Sequence, residues 1–87
     1  MAASRRVKLH LHMNDDLEGT IGTTLSANGA LVESWLAETP GAWGALAGKA
    51  VIAHRGLLGR RLTAGERRAV WSALWDRLSQ MKRAGAR

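Results

Sequence analysis

The sequence predicts an α+β domain, with an N-terminal antiparallel β-hairpin or three-stranded meander packed against two C-terminal α-helices. Residues 6–13 alternate strictly between polar and apolar side chains, which is the two-residue period of a half-buried strand. Asn28-Gly29 is a dipeptide that favours a two-residue hairpin turn. Residues 63–83 carry apolar side chains at three- and four-residue steps behind a capping sequence, as an amphipathic helix does.

The composition is that of one small domain. The 87 residues predict a single unit, in which we expect residues 1–4 and 84–87 to be flexible tails. Hydrophobic content of 46% and four Trp residues argue against a disordered chain, and the lack of cysteine excludes a disulfide framework. No stretch approaches the roughly 20 apolar residues of a membrane span. We therefore expect a cytoplasmic protein without a membrane span.

The N-terminal half supplies the predicted strands. In the first strand the polar side chains are Arg6, Lys8, His10 and His12, and the apolar ones are Val7, Leu9, Leu11 and Met13. Residues 14–16 predict a turn, and residues 17–25 predict a second strand because two Gly and three Thr disfavour a helix interior. Residues 30–35 fit either a third strand or a short helix. The strand is favoured because the preceding hairpin turn has a physical basis.

Two helices follow. Thr39-Pro40 has the pattern of a cap and first helical position, and predicts a helix from Pro40 to about His54. Residues 55–62 contain two Gly and predict a connection with its Leu side chains turned inward. Thr63 and Glu66 have capping-box spacing and begin the last helix. Its apolar residues span an arc of roughly 140° and predict a core face: Val70, Trp71, Leu74, Trp75, Leu78 and Met81.

Positive charge is concentrated in the C-terminal half. Residues 9–48 hold five acidic residues and no Lys or Arg, whereas residues 49–87 hold ten basic and two acidic residues. Arginine donates bidentate hydrogen bonds to phosphate, and a helix N-terminus attracts the same anion. The pattern predicts a non-enzymatic regulatory protein that binds the phosphate backbone of nucleic acid. The candidate binding residues are Arg55, Arg60, Arg61, Arg67 and Arg68.

A protein-interaction module is the alternative prediction. Trp and Arg dominate binding hot spots, and both are frequent in the last helix and its approach. A small inhibitor, adaptor or assembly subunit would use the basic surface to bind an acidic protein. The Trp-lined helix could instead pair with its own copy in a homodimer. Steep loss of nucleic-acid affinity with salt distinguishes the leading prediction from this one.

A different arrangement is indicated by the N-terminal segment. An alternating basic strand is followed by Leu17, Ile21 and Leu25 at helical spacing, then by Asn28-Gly29 and ALVESWLAE. In this order, residues 6–38 resemble the ribbon-helix-helix DNA-binding proteins. The resemblance implies that the strands of two copies pair and enter the major groove of DNA. It also implies a helix over residues 17–25.

Catalytic and metal sites are not predicted. The chain has no Gly-x-Ser-x-Gly nucleophile elbow and no Gly-Lys-Ser/Thr phosphate loop, so we expect neither an enzyme nor a bound cofactor. His10 and His12 face the same side of the predicted strand, and Asp15, Asp16 or His54 could join them around a metal. None of these three residues lies at a spacing from His10 and His12 that is typical of a metal site, so no metal ion is predicted.

Overall fold

The chain is mainly helical in the part that the computed structural model describes, which is residues 16–85. Helix α1 covers residues 16–27, and three further helices follow: α2 at Gly29–Leu36, α3 at Ala42–Leu58 and α4 at Ala64–Gly85. Residues 16–85 contain no β-strand, so the predicted α+β class is wrong and this region is all-α. The strand predicted over residues 6–13 and the tail at residues 1–4 lie outside the described residues.

Helix α1 replaces the predicted second strand. Leu17, Ile21 and Leu25 follow one another at four-residue steps, and Ile21 and Leu25 are buried in the core. Thr20 and Thr24 are also buried beside them, so two of the three Thr residues that disfavour a helix in isolation lie on its packed side. Burial of one helical face outweighs intrinsic propensities that differ by only about 0.5–1 kcal/mol per residue.

Asn28 joins two helices and does not form a hairpin turn. Its side-chain Nδ2 donates to the Thr24 carbonyl at 2.8 Å, while its own carbonyl accepts from the Val32 N–H at 3.0 Å. One residue thus ends α1 and begins α2. The predicted third strand is therefore wrong, and Val32 of α2 is buried in the core instead.

Helix α3 confirms the predicted helix but with shifted ends. It begins after Gly41, which adopts a left-handed conformation at φ 88° and makes no side-chain cap, so Thr39 is not its cap. It ends at Gly59, whose φ of 73° suits glycine and whose N–H donates to the Arg55 carbonyl at 2.9 Å. The first four residues of the predicted connection therefore belong to the helix. Leu57 is exposed, and Leu62 is the leucine of this stretch that is buried.

The core lies between α4 and the other three helices. Val70, Leu74 and Leu78 have 0% exposure and form the centre of the buried cluster. From α3, Leu46 and Ala50 pack there, whereas Ala53 is exposed. Helix α1 is attached to α3 by a buried hydrogen bond between Thr20 Oγ1 and His54 Nδ1 at 2.9 Å. None of the helices in residues 16–85 is long and apolar enough to cross a membrane.

Candidate nucleic-acid interface

The five candidate arginines lie around the connection between α3 and α4. Arg55 is in the last turn of α3, Arg60 and Arg61 are in the connection, and Arg67 and Arg68 follow the first turn of α4. All five side chains belong to exposed residues. The chain reverses here, so the prediction that they share one region of the molecule is consistent with the fold.

Arg60 is already engaged by a carboxylate. Its Nη1 donates to Glu66 Oε1 at 2.8 Å, and its Nη2 donates to Glu66 Oε2 at 2.6 Å. This bidentate hydrogen bonding raises the pKa of Arg60 and lowers the pKa of Glu66 to about 2. Both terminal nitrogens of the Arg60 guanidinium therefore donate to the Glu66 carboxylate. Arg60 is therefore less available to phosphate than the sequence predicts.

Four arginines remain open, and we call them the junction arginines: Arg55, Arg61, Arg67 and Arg68. Across residues 16–85, no carboxylate lies within ion-pair distance of any of them. Glu66 does not reduce the charge of these four arginines, because its carboxylate is neutralised by Arg60. The junction arginines thus concentrate four uncompensated positive charges near one connection.

The N-terminus of α4 has the predicted capping box. The Thr63 N–H donates to Glu66 Oε1 at 2.9 Å, and the Glu66 N–H donates to Thr63 Oγ1 at 3.1 Å. These bonds satisfy one amide of the first turn and place an acid at the positive end of the helix dipole. The helix end therefore adds less to anion binding than predicted. Attraction for a polyanion comes mainly from the arginine side chains.

Two other basic side chains of α4 are used to attach neighbouring segments. Arg77 Nη1 lies 3.1 Å from Glu18 Oε1 of α1, and Lys82 Nζ lies 3.2 Å from Glu38 Oε2 before α3. Exposed pairs of this kind contribute about 0–1 kcal/mol each. Their charge is compensated locally, which increases the contrast with the junction arginines.

The sequence predicts that all six apolar residues of α4 face the core, but only part of this face is buried. Three of them have 0% exposure, but Trp71 is 41% exposed and Trp75 is 50% exposed. Met81 is also exposed. Each Trp is one residue after a buried position, which rotates it by about 100° around the helix. That offset is the signal that could have separated the Trp residues from the buried column.

A shallow apolar groove runs between α3 and α4 beside Trp71. It is lined in part by Gly44 and Gly48, where an added Cβ would meet no atom within 4 Å. Ile52 also lines the groove and is 63% exposed, and Arg67 contributes a cation. We call this the Trp71 groove; its lining residues are Trp43, Gly44, Ala47, Gly48, Val51, Ile52, Arg67 and Trp71.

Trp75 has a different environment from Trp71. Its ring meets those of Trp35 and Trp43 edge to face, with centroid distances of 5.5 and 5.2 Å. Lys82 Nζ lies 5.6 Å from the Trp35 ring centroid. Trp75 is therefore held by other aromatic rings, whereas within residues 16–85 Trp71 has no ring partner.

No protein-family model matches this chain, and neither curated proteins nor solved structures give a significant match. The resemblance to ribbon-helix-helix proteins implies a helix over residues 17–25, and α1 covers residues 16–27. The strand that would pair in such a dimer lies outside the described residues. No group of three or more potential metal ligands occurs over residues 16–85, and His10 and His12 lie outside this range.

Proposed function

We propose that this protein is a non-enzymatic regulator that binds nucleic acid through phosphate contacts of the junction arginines. The observation that carries the proposal is the exposure of these four guanidinium groups near one connection, without carboxylate partners among residues 16–85. Guanidinium groups match the geometry of phosphate oxygens and keep their charge at any physiological pH. The formal net charge of +6 would attract a polyanion from a distance.

The charge cluster sets the expected salt dependence. Neutralising four phosphates releases counterions, which gives a log–log slope of about −3.6 for duplex DNA and about −2.8 for a single strand. Between 50 and 200 mM salt, affinity should fall roughly 150-fold for the duplex and roughly 50-fold for the single strand. A weaker dependence would mean that fewer of the arginines contact phosphate.

Fluorescence anisotropy with labelled oligonucleotides tests the proposal. The double variant Arg61→Gln/Arg68→Gln should lower the magnitude of the slope by about 1.4–1.8, because two phosphate contacts are lost. Lys49→Gln/Arg83→Gln is the matched control, since it removes the same charge from exposed residues outside the junction. No binding to any oligonucleotide at 50 mM salt, or equal slopes for the two double variants, contradicts the proposal.

A protein partner is the second candidate, and the Trp71 groove is the observation that favours it. Exposed Ile52 and Trp71 beside Gly44 and Gly48 form an apolar surface that a helix could approach closely. Helix α3 contains no acidic residue, so a second copy at this surface would bring like charges together. An acidic partner fits better. Light scattering on a sizing column tests self-association, and a concentration-independent monomer mass argues against the homodimer.

A further inference from the structure

We infer that the nucleic acid bound by the junction arginines is single-stranded, with one base stacked on the indole of Trp71. This inference rests on the proposed function and names the substrate class for the same site. Trp71 is 41% exposed, and it shares its groove with Arg67, one of the junction arginines. A flat aromatic surface therefore lies directly beside the phosphate-binding charge.

The positions of the residues along the two helices bring cation and indole together. Arg67 and Arg68 precede Trp71 by four and three residues, so both are its neighbours on the surface of α4. Arg55 follows Ile52 by three residues on α3, and Ile52 lines the same groove as Trp71. Arg67 and Arg68 thus lie beside the indole on α4, and Arg55 lies one turn from the α3 side of the same groove. One nucleotide can meet a guanidinium with its phosphate and Trp71 with its base.

Trp71 is the indole that the fold leaves for a ligand. Trp75 is more exposed, at 50%, but its ring is engaged by Trp35 and Trp43. Across the groove from Trp71, Gly44 and Gly48 carry no side chain that could cover the ring, and the space where one would stand is open. The ring of Trp71 therefore remains accessible.

Stacking on Trp71 selects single strands over duplexes. In a duplex, neighbouring base pairs cover both faces of a base, so a protein indole reaches it only after unstacking. In a single strand the faces are accessible, and proteins that bind such strands combine cationic grooves with aromatic platforms. Stacking is tolerant of base identity, because every base has a π-face. We therefore expect little sequence preference at this position.

The test measures the affinity of the full chain for an oligothymidine of about 12 nucleotides, within the usual site-size range, and for a duplex of equal length. Trp71→Ala should weaken binding to the single strand roughly 5- to 150-fold, which corresponds to about 1–3 kcal/mol per stacked base. Trp71→Phe should retain most of the affinity because it keeps an aromatic face. Duplex affinity should be unchanged in both variants.

Ile52→Ala is the matched control, because Ile52 is exposed in the same groove and has no π-face. It should change single-strand affinity less than about twofold, well below the stacking effect. Circular dichroism confirms that each variant is folded. Equal single-strand affinity of wild type and Trp71→Ala overturns the inference and leaves the proposed function standing. Equal losses of single-strand affinity for Trp71→Ala and Ile52→Ala also overturn it, because Ile52 has no π-face and the loss could then not be assigned to base stacking. Failure of the wild type to bind any nucleic acid removes the proposed function itself.

Discussion

Helix α4 carries two adjacent apolar columns with different fates. Val70, Leu74 and Leu78 have 0% exposure, whereas Trp71 and Trp75, one position further along, are 41% and 50% exposed. Both columns belong to the same wide apolar arc. Trp71 is uncovered because the part of α3 beside it carries Gly44 and Gly48, which have no side chain that could cover its ring. An apolar arc can therefore be wider than the surface that the fold covers, and the excess becomes available for binding.

The largest effect on stability should come from a substitution in the buried column, compared with one in the aromatic column. Leu74→Ala removes a fully buried side chain and should lower the free energy of unfolding by about 2–5 kcal/mol. Trp71→Ala removes more atoms but should cost less, because its ring is partly in water already. Urea denaturation at constant m-value measures both. A cost for Trp71→Ala equal to that for Leu74→Ala would show that the aromatic column is part of the core.

Loss of the buried hydrogen bond between α1 and α3 should have the next largest effect on stability. Thr20→Val removes the hydroxyl that shares a 2.9 Å hydrogen bond with His54 Nδ1. The unsatisfied buried ring nitrogen should lower the free energy of unfolding by about 1–3 kcal/mol. Thr24→Val is the matched control on the same helix, because Thr24 Oγ1 is buried without a hydrogen-bond partner. Thermal unfolding should show Thr24→Val to be neutral or stabilising, and equal losses would exclude a specific role for the contact.

The exposed end of α4 should respond more weakly. Thr63→Ala removes the cap that binds the Glu66 N–H at 3.1 Å and should lower the free energy of unfolding by about 1 kcal/mol. Thr39→Ala provides the comparison, since α3 begins after Gly41 and has no side-chain cap. It should be close to neutral in chemical denaturation. A larger loss for Thr39→Ala than for Thr63→Ala would reverse the assignment of caps.

The smallest effect should be a change in acid sensitivity. The pKa of Glu66 is lowered to about 2, mainly by the side-chain hydrogen bond from Arg60, so the folded state holds its charged form. The associated stability is present above the unfolded pKa of about 4.3 and is lost as pH falls toward 2. Glu66→Gln should flatten the melting temperature between pH 5 and pH 2 relative to wild type. The change should shrink at high salt because the pair is exposed.

Glu66→Gln also sharpens the contrast between engaged and open arginines. Arg60 loses its carboxylate partner in this variant and can join the junction arginines. The slope of nucleic-acid affinity against salt should then steepen by about 0.7–0.9, which is one additional phosphate contact. An unchanged slope would mean that Arg60 lies outside the binding surface even when it is free.

Local signals in the sequence predicted the C-terminal half better than the N-terminal half. Thr63 and Glu66 form the capping box that their spacing indicates, because both partners lie within one turn. The Asn28-Gly29 signal failed because an Asn side chain satisfies a helix end as readily as it forms a hairpin turn. Residues 17–25 are helical because Ile21 and Leu25 pack against helices that are distant in the sequence. Intrinsic helix propensity does not take such tertiary contacts into account.

The candidate site likewise has some features that the sequence predicts and others that it does not. The exposure of Arg55, Arg61, Arg67 and Arg68 follows from their charge, and the sequence predicted it. Engagement of Arg60 depends on Glu66 six residues later, across a connection whose course the sequence does not define. The accessibility of Trp71 depends on which face α3 presents to α4. These are tertiary properties, and periodicity within one helix cannot supply them.

The short connection between α3 and α4 has a mechanical consequence. It is anchored by the Gly59 N–H at one end, by the Thr63 capping box at the other, and by the buried side chain of Leu62 between them. The Arg60–Glu66 fork adds a brace across it. We therefore expect the backbone at Arg61 to be held in place before a ligand arrives. Binding there then loses conformational entropy mainly from the rotations of the side chain.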